Sequence, residues 1–343
     1  MSESDIEKAL GDADVLVDTE GALARFRARV EHEGIVPANR GARRRRSPSW
    51  LPRLAAAAGV VLVASALALS PLADSILTIF EPKRVVSVPV SQSDLSYLGQ
   101  ACAGLQLEQC LGAYGTLTWT TPPQPREVRS LSEAAAGAGF AVLTPGSLPP
   151  SLTGQPRYGV VNRSSATFVF SADSTRQSAA RLGRTPPPMP ANVDGSKLVI
   201  TGGPAVVQIW GAPGPSDPSG ASRGTSPAAI PTLIVGQAKA PTVASDGVTV
   251  DELRAYLLQQ PGISPQLAAA IRAIGDPAST LPVPVPAELA VSHPVRVQGT
   301  DGLFVGDNTG IAAAIIWQKD GMMFEVIGSL TESQALAVAD SMR

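Results

Sequence analysis

The sequence predicts an α+β protein in which a single transmembrane helix precedes an extracytoplasmic domain with an antiparallel sheet and inserted helices. Three observations carry this reading. Leu54 to Ala73, LAAAAGVVLVASALALSPLA, holds about 20 residues without one ionisable group, the length a helix needs to cross bilayer hydrocarbon. The chain beyond it is a succession of short β-rich runs bounded by Gly, Pro and Asx residues. Helix-capping patterns interrupt those runs at several places, which argues for hairpins with helices inserted among them and against a doubly wound sheet.

A backbone in lipid must satisfy its own hydrogen bonds, so the apolar segment is expected to be helical, with Pro71 in its last turn. Arg40, Arg43, Arg44, Arg45, Arg46 and Arg53 crowd its N-terminal flank, and Trp50 sits where an interfacial aromatic would. The other flank carries the mixed set Asp74, Glu81, Lys83 and Arg84. Positive charge stays on the cytoplasmic side, so the tail is expected inside and the residues after Asp74 outside. A secretory signal cut after Ala66-Leu67-Ala68 fits poorly. Its n-region would run to about 50 residues and carry many acids, where whole signals span roughly 15–30. A buried core helix rarely stays apolar around its whole circumference. Beside a membrane span, the run Arg43 to Arg46 reads as a topology signal and an anionic-lipid contact, not as a nucleic-acid patch. The chain therefore divides into a cytoplasmic helical tail over 1–53, a transmembrane helix over 54–73 and an extracytoplasmic α+β domain over 81–343.

The bulk numbers narrow the classes. A net charge of -2 gives no whole-chain argument for a direct nucleic-acid partner. Aromatic content is 4%, while 32 Gly and 31 Pro imply many turns. Heavy use of Ala, Gly, Pro and Arg points to a GC-rich bacterial genome. Cys102 and Cys110 both fall in the outer, oxidising region and have no histidine nearby, so they are expected to form a structural disulfide, not a zinc site.

In the tail, Ser4 and Glu7 have capping-box spacing ahead of Ile6, Leu10 and Gly11. A second helix from about Asp18 carries Leu23, Phe26 and Val30 on one stripe, and Gly34 and Pro37 stop it. So small a tail cannot bury a core of its own, so this stripe is expected to be marginally ordered or to dock on a partner.

In the outer domain, Val85 to Val90 reads as an edge strand or lead-in, and Leu117 to Thr121 as a strand ended by Pro122-Pro123. Ser130 and Glu133 cap a short Ala-rich helix, and Phe140 to Pro145 follows as an extended segment. Arg157 to Val161 and Ala166 to Ser171 read as two strands of a hairpin joined through Asn162 to Ser165. A polar helix over about 174–182 leads into the polyproline piece Pro186 to Pro190. Lys197 to Thr201 and Ala205 to Trp210 flank Gly202-Gly203-Pro204, read as a turn; no helix or Lys follows to make a phosphate loop. Gly211 to Pro231 is a Gly-, Pro- and Ser-rich loop, after which Thr232 to Ala238 resumes as a strand.

Residues 249–275 predict a helical hairpin, expected to cover one face of the sheet or, alternatively, to act as a lid over a binding groove. Thr249 and Glu252 box the first helix, Ser264 with Pro265 starts the second, and Gly275 ends it. Beyond Leu281 to Pro286 come strands at Val295 to Gln298, Leu303 to Gly306 and Ala313 to Gln318. The last turns at Asp320-Gly321 into Met322 to Ile327. Thr331 and Gln334 box a closing helix with Ala335, Val338 and Met342 on one side and Leu330 as staple.

No catalytic constellation stands out. His293 is the one outer histidine and reads as a surface residue, with no G-x-S-x-G or H-E-x-x-H elsewhere. Asp301, Asp307 and Asn308 match no EF-hand spacing and read as turn-forming Asx residues. The residues thus assign no catalytic, cofactor or metal position, and the chain is expected not to be an enzyme.

Two passages carry a family resemblance: SLSEAAAGAGFAVLTPGSLPPSL at Ser130 to Leu152, and IIWQKDGMMFEVIGSLTESQALAVADSM at Ile315 to Met342. They resemble the start and end of an outer domain common in membrane-anchored, anti-sigma-factor-like proteins of bacteria, covering most of 130–343. The helical hairpin and the Gly211 to Pro231 loop look like insertions in it. The resemblance implies signal transduction: control of a cytoplasmic sigma factor from across the membrane, with Leu23, Phe26 and Val30 as the partner-binding element. The tail departs from many such proteins in lacking any cysteine for a zinc-binding H-x-x-x-C-x-x-C helix. The alternative is a membrane-tethered envelope module that binds lipid, lipoprotein or cell-wall polymer. A concave apolar cavity between sheet and helical hairpin would favour it.

Overall fold

The computed structural model describes residues 76–94, 111–152, 154–181, 183–211 and 233–343. The apolar segment 54–73, the tail with Leu23, Phe26 and Val30, Arg43 to Arg46, and Cys102 and Cys110 lie outside the described residues. So does nearly all of the loop before Thr232. Among the described residues, no helix is long and apolar enough to cross a membrane.

The fold is mixed α+β and mostly antiparallel. Its first half runs β1 (Leu77–Phe80), β2 (Arg84–Val90), β3 (Gly115–Thr121), β4 (Pro125–Val128), α1 (Leu131–Ala138), β5 (Arg157–Val161), β6 (Ser164–Phe170) and α2 (Ala172–Arg181). Then follow β7 (Lys197–Gly202), β8 (Ala205–Trp210), β9 (Leu233–Lys239), β10 (Thr242–Ser245), α3 (Val250–Leu257) and α4 (Pro265–Arg272). The chain closes with β11 (Thr280–Pro286), β12 (Ala290–Val297), β13 (Thr300–Asp307), β14 (Ala313–Lys319), β15 (Met322–Gly328) and α5 (Glu332–Asp340). An eight-stranded sheet has the order β12-β13-β14-β15-β9-β8-β5-β4, and a five-stranded sheet the order β1-β10-β7-β6-β3. Because β1 belongs to the second, the folded domain begins before the expected boundary at residue 81.

Three long strands pass through both sheets. From Arg157↔Ile209 to Val161↔Ala205 the chain pairs in one sheet, and from Ser164↔Gly202 to Val169↔Lys197 it continues in the same register in the other. The strand over 233–245 does likewise against 198–210. This corrects two expectations. Asn162 to Ser165 is not a hairpin turn, because β5 and β6 follow one another along a single bent path and pair with β8 and β7. Neither Asn162 nor Arg163 adopts the positive φ that a two-residue hairpin demands. Gly203 is not a turn glycine either, since its φ is not positive. A Cβ there would lie 2.2 Å from the Cβ of Lys239 and 2.7 Å from its carbonyl oxygen, so glycine is required by close strand approach. Pro204 and Pro241, lacking N–H groups, fall at the bend where the ladder is interrupted.

A third pairing was not anticipated. Arg84 to Val90 is an edge strand, as Pro89 suggests, but of a separate two-stranded sheet: it pairs in parallel with β11, Thr280↔Arg84 through Pro286↔Val90. In β11 the exposed or half-exposed Pro282, Pro284 and Pro286 alternate with buried Leu281, Val283 and Val285. A strand with proline at every other position can donate on one side only, so this pair stays two-stranded. Val85, Leu281, Val283 and Val285 pack with Leu303, Ile316 and Met323 on one face of the eight-stranded sheet.

The opposite face of that sheet carries the largest cluster, where the passages Ser130 to Leu152 and Ile315 to Met342 meet. Leu143, Leu148 and Leu152 pack with Trp317, Phe324, Leu330 and Val338. Thr144 and Arg343 exchange backbone hydrogen bonds of 3.0 and 3.1 Å. Two buried glutamines hold the extended segment. Gln237 accepts from Leu143 N–H at 2.9 Å and donates to the Ala141 carbonyl at 3.0 Å, and Gln208 donates to the Leu143 carbonyl at 2.7 Å. The helices start as their caps predict: Ser130 caps α1, capping boxes open α3 at Thr249 and α5 at Thr331, and Ser264 caps α4. Asp320 and Gly321, at φ 51 and 72, form the tight turn between β14 and β15.

Candidate functional site

Alternation along the strands places Glu325 on the sheet face opposite the extended segment, in a cross-strand row with Leu303, Ile316, Gly236, Val207 and Gly159. β15 lies between β14 and β9, so Glu325 sits in the middle of the sheet and is 2% exposed. Its Oε2 is buried without a hydrogen-bond partner. Burial pushes its carboxyl up to about 8, because the charged form is denied solvent. At neutral pH it is therefore mostly a neutral acid, a donor without an acceptor. Gly236 lies directly beside it, and a Cβ there would be 2.4 Å from the Glu325 Oε1. Sequence reasoning passed over this residue, although a glutamate inside MMFEVIG at an inward-facing position was a legible signal.

The positions weighed from sequence are spread over the surface. His293, on edge strand β12, faces Glu332 at 3.3 Å and lies against Phe304 with ring centroids 4.9 Å apart. Neither contact supplies a nucleophile. Asp301 pairs with Arg296 at 3.2 Å. Asp307 accepts from Thr309 Oγ1 and from the backbone of Ile311 and Ala312, both at 2.9 Å. These bonds, the Thr309 hydroxyl foremost, hold its carboxyl below the usual range. Asn308 is engaged by the Glu288 carbonyl at 2.7 Å. The cluster is thus a self-satisfied loop. Among the described residues, no group of three His, Cys, Asp or Glu is placed to hold a metal.

The helical hairpin does not cover the large sheet. Leu267 of α4, with Ile263, Ile271 and Ile274 beside it, packs on Val88 and Val90 of β2, on the side of the parallel pair away from the sheet. That space is filled with aliphatic side chains. Asp94 ties the end of β2 to this helix, accepting from Ser264 N–H at 3.2 Å and Ser264 Oγ at 3.0 Å. Burial raises its carboxyl, but bonds from Ser91 and Ser264 outweigh that and hold it low. A cavity of about 250 Å3 opens between α2 and the polyproline piece, lined by Thr175, Arg176, Pro186, Pro188 and Met189. Its one cation, Arg176, is already paired with Asp173.

Comparison of the chain with protein-family models, with curated proteins and with solved structures finds no match.

Proposed function

We propose that this chain is a non-enzymatic, single-pass membrane protein whose extracytoplasmic domain senses or regulates, acting as an anti-sigma-factor-like transmembrane regulator. The carrying observation is the uncharged stretch Leu54 to Ala73 with Arg43 to Arg46 ahead of it. Support also comes from the family-like passages, which pack together as one unit through the Leu143–Trp317–Val338 cluster. The first strand, β1, starts within a few residues of the apolar segment, so the domain would stand close to the bilayer. The envelope-binding alternative draws less support, since the space under α4 is filled.

Two measurements test the reading. After an alkaline carbonate wash the chain is expected in the membrane fraction, and deletion of 54–73 is expected to release it. The full chain, solubilised in detergent, is expected to capture a sigma factor, and substitution of Leu23, Phe26 and Val30 by serine to abolish that capture. Release of the intact chain by carbonate would remove the anchor; retention without capture would remove the signalling half alone.

A further inference from the structure

We propose that Glu325 is a proton-binding site built into the middle of the eight-stranded sheet, and that loss of its proton loosens the pairing of β15 with β9. The geometry carries this. The side chain is 2% exposed, its Oε2 has no partner, and Gly236 of β9 packs so close that even a methyl group would overlap it. There is no room to swing the carboxylate to water without moving β9. An ionised carboxylate without a counter-charge is among the costliest groups to bury, and it relieves that cost by staying protonated or by opening its surroundings.

The neighbours offer no compensation. On its own strand Glu325 shares its face with Met323 and Ile327; β14 presents Ile316 and β9 presents Ile234, Gly236 and Ala238. The parallel pair β2–β11 brings Val85, Leu281, Val283 and Val285 to that face. Among the described residues, the charged groups that alternation puts on this face are Arg157 on β5, Glu127 on β4, Asp301 and Asp307 on β13, and Arg296 on β12. Arg157 and Glu127 stand three and four strands away, about 14–19 Å at the usual strand spacing. Asp301 and Asp307, two strands away, are themselves acidic, and Arg296, three strands away, is paired with Asp301. Among the described residues, no cation on this face lies on a strand next to Glu325, and the proton is the charge-neutralising partner within reach. The consequence extends beyond the sheet, because the strand beside Glu325 runs on through the bend from Gly236 to Ser245, which pairs with Leu77 of β1. A loosened β9 therefore acts on the strand nearest the apolar segment. The inference itself does not depend on the membrane reading.

The sign follows from linkage. The folded state holds the proton up to about pH 8, whereas the unfolded chain loses it near the ordinary value of 4.5. Between those limits the folded state binds one more proton, so stability is full below the lower limit and falls as pH rises, up to tenfold in the folding equilibrium per pH unit. The experiment uses the full chain in detergent micelles. Wild type is expected to show the infrared carbonyl band of a protonated carboxyl at about pH 6 that is gone by about pH 9. The band is expected to be absent from Glu325→Gln. The slope of wild-type unfolding against pH is expected to exceed that of the variant in this window, with faster amide exchange in β15 and β9 at the alkaline end. A wild-type chain without that band at about pH 6, or with the same slope as Glu325→Gln, overturns the proposal. If the variant does not fold, the wild-type band alone decides.

Discussion

Replacing Trp317 by alanine is expected to remove about 3–5 kcal/mol of stability, the range for deleting a large buried aromatic. Trp317 is 1% exposed and stacks on Phe324 with ring centroids 5.1 Å apart and an interplanar angle of 13°. It joins three pieces of chain: the extended segment with Leu143 and Leu148, the β14–β15 hairpin, and α5 through Val338. Against a total stability of about 5–15 kcal/mol for a domain, the loss is a large share. The Trp317 Nε1 is buried without a partner, so no hydrogen bond is lost with the ring. For that reason Trp317→Phe is expected to cost far less than Trp317→Ala. Urea denaturation followed by circular dichroism reads both. A loss under about 1 kcal/mol for the alanine variant would mean that this cluster is not the tie between the pieces.

Gly203→Val is expected to cost about 3 kcal/mol or more, at the upper end for overpacking. The added Cβ meets the Cβ and backbone oxygen of Lys239, and backbone cannot move aside as a flexible side chain can. The residue type separates two explanations. If Gly203 served a turn, asparagine, which tolerates positive φ, would be accepted there. On the close-approach account Gly203→Asn is as damaging as Gly203→Val, because any Cβ collides. Gly139 is the contrast: it has a φ of 71, a Cβ there meets nothing within 4 Å, and Gly139→Asn is expected to be mild. The comparison is read from denaturation midpoints; tolerance of Gly203→Asn would contradict the three bent strands.

What could be read in advance was local. Capping pairs such as Thr331 with Gln334, the Pro265 helix start and the Asp320-Gly321 turn act within a few residues, and the structure uses each as its chemistry suggests. The staple Leu330 and the stripe residues Ala335 and Val338 are buried as a 3.6-residue period requires, whereas Met342, expected on the same stripe, lies past the helix end and is buried in a β-bridge with Pro145. What escaped was set by contacts between distant residues. The pairing of Arg84 to Val90 with Thr280 to Pro286 joins segments far apart in the chain, and its parallel sense leaves no turn to announce it. The bends at Asn162 and Gly203 look in sequence like turns, because turn residues and bend residues are drawn from the same set. Only the shared register with the neighbouring strands tells them apart. The helical hairpin was visible, but not the surface it packs on, since Leu267 and Ile271 would suit any apolar partner. Gln208, Gln237 and Glu325 are among the polar residues buried inside apolar strands; the first two hold a neighbouring segment, and the Oε2 of the third has no partner.

The reading as a whole stands on the chain crossing a bilayer once, with the arginines inside. The direct measurement is a pair of C-terminal fusions after Arg343, one to a phosphatase active only after export and one to a galactosidase active only in the cytoplasm. The account predicts an active phosphatase, an inactive galactosidase, and a phosphatase signal lost when Leu54 to Ala73 is deleted. An active galactosidase with a silent phosphatase would contradict it.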